Sequence, residues 1–273
     1  MLIDGELIGA ADGGTYVNEN PATAEPVGDA ADATEGDVDR ALTAARRAFD
    51  TTDWRSDLDL RLHALGQLAA ALEDATDELT ETTIAEVGAP RSACATVQVG
   101  EPLRFVPYYR EVARHYGWTT DLGPADTLGG PAHRWTEAVP AGVVAAITPW
   151  NVPTQINLAK IVPALAAGCA VVLKPAVETP FSACLLGRLI AERTDIPPGI
   201  VNVVTAADPA AGAQLTADPR VDMISFTGST ATGQKVMQAA SAHLTRVFLE
   251  LGGKSAMVAL DAVSYTHLTL PTS

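Results

Sequence analysis

The chain has 273 residues, 47% hydrophobic and 19% charged, enough apolar mass to bury a core and too much for global disorder. Its formal charge of −15, with no run of Lys or Arg, argues against a nucleic-acid partner, which needs clustered cations facing phosphates. Three cysteines, Cys94, Cys169 and Cys184, lack metal-like spacing, so neither a disulfide framework nor a metal site is expected.

In chain order, MLIDGELIGAADGG lacks the basic region and long apolar run of a signal peptide. Residues 1–35 read as short strands and turns, with Asn-Glu-Asn-Pro as a turn signal. Thr34 caps a helix that places Val38, Leu42, Ala45 and Phe49 at helical spacing. Further helices are expected at about 58–73, 76–87 and 96–116. The Gly/Pro/Asp-rich segment 122–131 reads as a turn or excursion.

From His133 the pattern changes. HRWTEAVPAGVVAAITP alternates or runs apolar, as strands do. The apolar stretch 161–173 is too short to span a bilayer, so no membrane segment and a cytoplasmic location are expected. Strands at 170–174, 200–204, 223–226 and 246–251 then alternate with helices at 181–194, 210–217 and 229–240. Near-continuous apolar strands separated by helices predict an α/β fold: a Rossmann-like parallel sheet with helices on both faces, behind an N-terminal strand and helical region. Ligands of such sheets sit at the carboxyl ends of the strands.

Those ends carry the candidate groups. Phe226-Thr227-Gly228-Ser229 leads directly into a helix, where free N–H groups favour an anion such as a pyrophosphate; an ordinary capped glycine turn has the same sequence. No G-x-G-x-x-G is present. Lysine occurs only at Lys160, Lys174, Lys235 and Lys254, and Lys174 precedes Pro175 at a strand end, within reach of sugar hydroxyls or phosphates. Ile147-Thr148-Pro149-Trp150-Asn151, stiffened by its prolines, can hold the Asn151 amide as a fixed donor to an oxyanion. Glu250, between Leu249 and Leu251 and followed by Gly252 and Gly253, suits a general base with room for a ligand.

Taken in order, ITPWN, KPAVETP, FTGST and LELGGKS resemble the aldehyde dehydrogenase superfamily, and Leu249–Ala256 resembles its glutamate active-site signature. The resemblance runs from the N-terminus to about residue 260. It implies NAD(P)-dependent oxidation of a small aldehyde to an acid, with NAD or NADP as cofactor and a homo-oligomer as the full-length form. By similarity Asn151 is the oxyanion donor, Glu250 the base, and Lys160 lies near a proton path. Lys174 would hold the adenosine ribose, and Gly228 and Ser229 the pyrophosphate. Ile147, Thr148, Pro149 and Trp150 would line the groove with Phe226 and Thr227, and Leu251 and Gly252 the nicotinamide end; Gly212 is a further cofactor-side carry-over. A hairpin at about 127–140 resembles the family's oligomerisation element.

Three departures stand out. An acidic residue often lies three positions after the lysine in this family; here that position is Val177, which leaves NAD against NADP open. The nucleophilic cysteine of the family lies a few dozen residues beyond the glutamate, in a separate catalytic domain, and none of Cys94, Cys169 and Cys184 fits that role. Residues 1–261 are therefore expected to form the cofactor-binding part alone. Residues 262–273 read as an unrelated, foreign or misassembled end. An inactive nucleotide-binding fragment and a coenzyme A-acylating relative are the alternatives, the second disfavoured because Glu250 is dispensable to it.

Overall fold

Thr34 and Asp37 start the first long helix with a capping box: the Thr34 hydroxyl accepts from the Asp37 amide, and the Asp37 carboxylate accepts from the Thr34 amide. The computed structural model describes residues 1–256 and Val258, so the expectation for residues 262–273 lies outside the described residues. Before this helix come β1 (Leu2–Ile3), β2 (Glu6–Leu7), β3 (Thr15–Glu19) and β4 (Pro26–Ala31). The helix itself is α1 (Glu35–Thr51), followed by α2 (Leu58–Asp74) and α3 (Thr76–Val87), close to the expected spans.

The expected helix at 96–116 is broken. After α4 (Arg91–Ala93), residues Cys94–Gln98 wind as a π turn with Thr96 at φ −123° and ψ −106°, and only α5 (Phe105–His115) is regular helix. Gly100 permits this fold-back: a Cβ there would meet the Ala95 carbonyl oxygen at 2.2 Å. The expected excursion at 122–131 is also corrected. It belongs to a two-stranded antiparallel hairpin of β5 (Thr119–Thr127) and β6 (Gly130–Glu137), so the hairpin begins earlier than 127 and its turn lies at Leu128–Gly129. Alternation on an exposed two-stranded ribbon is weak, which hid the strand behind its Gly and Pro.

The remaining elements are β7 (Val143–Ile147), α6 (Pro153–Ala166), β8 (Ala170–Lys174), α7 (Pro180–Arg193), β9 (Val201–Val203), α8 (Ala210–Ala217), β10 (Met223–Gly228), α9 (Thr230–Ser241) and β11 (Arg246–Leu251). Helix α6 was not expected from the sequence. Pro153 favours its first turn and Pro163, in its last turn, interrupts the pattern without ending the helix.

Strands run in the order β11-β10-β7-β8-β9-β1-β2, the first five parallel and the last two antiparallel. Chain order reverses between β7 and β10, the switch point where an open α/β sheet leaves a crevice. Helices α1, α8 and α9 cover one face, α6 and α7 the other, with α2, α3 and α5 as an outer layer. Buried Val143–Ala146 and Ala170–Leu173 fill the middle, two-sided as a parallel sheet requires. This is the mixed α/β architecture read from the sequence.

Candidate functional site at the strand tips

Adjacent strand ends bring the candidate segments side by side. Ile147 is in register with both Lys174 and Phe226, Thr227 with Glu250, and Gly228 with Leu251. Paired residues on parallel strands point to the same face. Ser225, Thr227, Phe248 and Glu250 therefore face α6, whereas Phe226, Leu249 and Leu251 face α9.

On the α6 side, Lys160 is buried and its ammonium donates to the Ser225 hydroxyl at 2.9 Å. Burial pushes the Lys160 ammonium down to about 8, opposed by the Glu250 carboxylate, which places Glu250 within the field of Lys160. The Lys160 nitrogen also stands 5.9 Å from the centre of the Phe248 ring. Glu250 itself is exposed.

The segment between β7 and α6 is tied at several points. The Thr148 amide donates to the Lys174 carbonyl at 3.2 Å, and the buried Thr148 hydroxyl to Asn157 Oδ1 at 2.7 Å. Asn151 is exposed, and its carbonyl accepts from Gln98 Nε2 at 2.9 Å. Trp150 is 56% exposed and lines a groove of about 610 Å³ with Val177, Glu178 and Thr179, facing Val17 and Glu19 of β3.

At the tip of β8, Lys174 is buried, with its ammonium near the carbonyls of Pro175 (3.4 Å) and Ala206 (3.3 Å). Burial lowers its pKa; Glu178, Asp32 and Asp208 pull the other way. A Cβ at Gly212 would touch the Lys174 stem at 3.7 Å, so these two predicted residues share one spot.

At the tip of β10, Ser229 is the N-cap of α9, accepting from the Thr232 amide at 3.1 Å. This leaves the Thr230 and Ala231 amides at the positive end of the helix. A Cβ at Gly228 would meet the Phe226 ring at 2.6 Å, so glycine keeps the strand tip bare. Leu251 packs over Gly233 of α9, and Gly252 follows it, exposed with open space around it.

Sequence reasoning did not single out Gln98, Asn157 or Ser225. Each is an uncharged residue whose partner lies 53, 9 or 65 positions away, and each is buried. No sequence pattern links such pairs.

The chain matches the aldehyde dehydrogenase family over residues 8–268. It belongs to that family. Among curated relatives, a 3-succinoylsemialdehyde-pyridine dehydrogenase from a Pseudomonas species is 43% identical over 89% of this chain and 49% of its own length. Two solved structures share the fold. An aldehyde dehydrogenase from Bacillus cereus in complex with NAD+ has a TM-score of 0.89 at 33% identity, covering 96% of this chain and 52% of that one. An aldehyde dehydrogenase from Pseudomonas syringae, complexed with NAD+ and octanal, has a TM-score of 0.85 at 37% identity, covering 93% and 50%. This aldehyde dehydrogenase chain spans about half the length of the curated relatives it matches.

None of the three cysteines of this aldehyde dehydrogenase chain lies on a strand tip: Cys94 opens the π turn, Cys169 precedes β8 at its amino end and Cys184 lies on α7. Cys94 and Cys169 are buried, Cys184 half-buried on α7, and burial raises the thiol pKa of each, which keeps the nucleophilic thiolate scarce. Among the described residues, no group of three His, Cys, Asp or Glu side chains is placed to hold a metal, and no helix is long and apolar enough to cross a membrane.

Proposed function

We propose that this chain is the cofactor-binding part of an enzyme that oxidises an aldehyde to a carboxylic acid with NAD or NADP. The carrying observation is the register of the strand tips, which sets Lys174, Ile147, Phe226–Gly228 and Glu250 side by side at the switch point of the sheet. A dinucleotide fits these residues. Lys174 is a buried ammonium with two long carbonyl contacts among the described residues, Gly228 presents no side chain, and the α9 N-terminus favours a pyrophosphate.

In this reading Lys174 binds ribose hydroxyls beside Gly212, while Ser229 and the Thr230 amide take the pyrophosphate. A nicotinamide held there would supply the hydride acceptor. The Asn151 amide donates to the developing oxyanion, a contribution of roughly 10²–10³-fold. Glu250 acts as general base, for roughly 10²–10⁴-fold. Lys160 stands near the proton path on the α6 side, with Glu250 acting on its charge. No cysteine of this chain is the nucleophile, so the polypeptide by itself binds nucleotide without turning aldehyde over.

Isothermal titration of the folded chain with NAD+ and NADP+ tests the reading. It expects saturable binding of at least one, weakened about tenfold or more by Lys174→Ala. A folded chain that binds neither overturns it.

A further inference from the structure

We propose that Gln98 is a positioning residue that sets the Asn151 amide for the reaction; this rests on reading Asn151 as the oxyanion donor. Asn151 stands in a five-residue bridge between β7 and α6. The bridge is anchored at one end by Thr148, on the Lys174 carbonyl and Asn157, and at the other by Pro153, the first residue of the helix. Between those anchors Asn151 is exposed, and the contact given for it is at its main chain.

Gln98 holds that main chain. The residue is 7% exposed and its Nε2 donates to the Asn151 carbonyl at 2.9 Å, while its buried Oε1 has no partner among the described residues. An amide buried at the expense of one unmet acceptor is costly, and Cys94–Gln98 adopts a π turn with Thr96 outside helical geometry to deliver it. The Gly100 amide closes that turn on the Cys94 carbonyl at 3.0 Å. A tight, locally irregular segment is thus spent on one hydrogen bond to the residue that carries the donor. Holding the 151 carbonyl pins the peptide plane after Asn151 and, with Thr148 anchored upstream, restricts ψ and so the Cα–Cβ direction from which the side-chain amide reaches the oxyanion. A displacement of about 1 Å at such a group is worth on the order of 10²-fold in rate.

The test is Gln98→Met, which keeps length and removes the donor, with Gln98→Glu as second variant should the first fail to fold. In ¹H–¹⁵N spectra of the chain, the backbone and side-chain amide signals of Asn151 are expected to shift and broaden, while those of β7 and β8 stay in place. Unchanged Asn151 signals in a folded variant overturn the inference. In the aldehyde-oxidising enzyme that carries this chain, Gln98→Met is expected to lower kcat about 10–100-fold with little change in KM, and to add nothing to Asn151→Ala. If Asn151→Ala lowers kcat and Gln98→Met does not, the inference is wrong. If Asn151→Ala leaves kcat intact, the reading of Asn151 as oxyanion donor fails and the positioning role for catalysis falls with it; unshifted signals in a folded variant, with Asn151→Ala still damaging, remove the Gln98 inference alone.

Discussion

Lys160 of α6 donates its buried ammonium to the Ser225 hydroxyl of β10 at 2.9 Å, with Glu250 of β11 the carboxylate acting on its charge. Burial holds the Lys160 pKa at about 8, below its ordinary 10.5. Between those values the unfolded chain binds a proton the native chain does not, so stability rises with pH across this window. The effect is on the order of 1–3 kcal/mol. Urea unfolding at intervals from pH 7 to pH 10.5 should show the rise, and Lys160→Met should flatten it. A wild-type curve that falls through the same window contradicts the buried ammonium.

Glu86 gives the opposite sign. At the end of α3 its carboxylate accepts from the Phe181 amide at 2.8 Å and from the Ser182 amide at 3.0 Å, with the Ser182 hydroxyl beside it, capping α7. Burial lifts its pKa to about 7 against the pull of those donors. The native state therefore holds a proton that the unfolded chain releases between about 4.5 and 7, and stability falls as pH rises through that range. Asp37 acts lower on the scale. Burial works to raise it, but the Thr34 and Ala11 amides and Arg40 hold it at about 2, so its contribution is lost as pH falls from about 3.8 toward 2. Melting scans of wild type and Glu86→Gln from pH 4.5 to 7 check the first claim: the slope should shrink in the variant.

These paired groups show why the sheet was readable and much of its site was not. Ala170–Lys174 and Arg246–Leu251 appear where expected because a strand buried on both faces, or ending in glycines, writes itself as a local apolar run. Asn151, Lys174, Ser229 and Glu250 stood out as candidates because each lies at or just beyond the end of such a run. Helix α6 was not legible, since Pro163 removes an N–H from the helix interior and reads as a break in the sequence, while the buried Leu158, Ile161, Val162 and Leu165 hold the helix through it. Ser225 and Gln98 were invisible for another reason. Their placement depends on register and on a π turn, which are settled by the packing of distant elements.

Gly142 should tolerate no side chain. Its φ is +122°, and a Cβ there would lie 1.9 Å from Asp222 Oδ2. That carboxylate accepts from the Val143 amide at 2.7 Å and from Arg46 at 2.8 Å, joining β7, β10 and α1 at the amino end of the sheet. Gly142→Ala combines backbone strain with displacement of this lock, for a loss of about 3–5 kcal/mol. Denaturant melts should show it as a lower midpoint with unchanged slope; a loss under about 1 kcal/mol would mean that Asp222 moves aside freely.

Cofactor preference follows from the charges around Lys174. Its ammonium is the cation at the tip of β8, and Glu178, Asp32 and Asp208 all act on it. Ribose hydroxyls can donate into such a carboxylate-rich field, whereas a 2′-phosphate entering it meets like charge. Val177 adds no further repulsion, so if Lys174 holds the ribose as proposed, the three carboxylates set the preference. NAD+ is expected to bind at least about tenfold more tightly than NADP+, a difference of about 1.4 kcal/mol. Asp32→Asn combined with Asp208→Asn should narrow that gap, and added salt should narrow it in the wild type, because charges near the surface are screened. Titration of both nucleotides at low and high salt decides the matter: equal affinities at low salt would show that the 2′ position lies beyond the reach of these carboxylates.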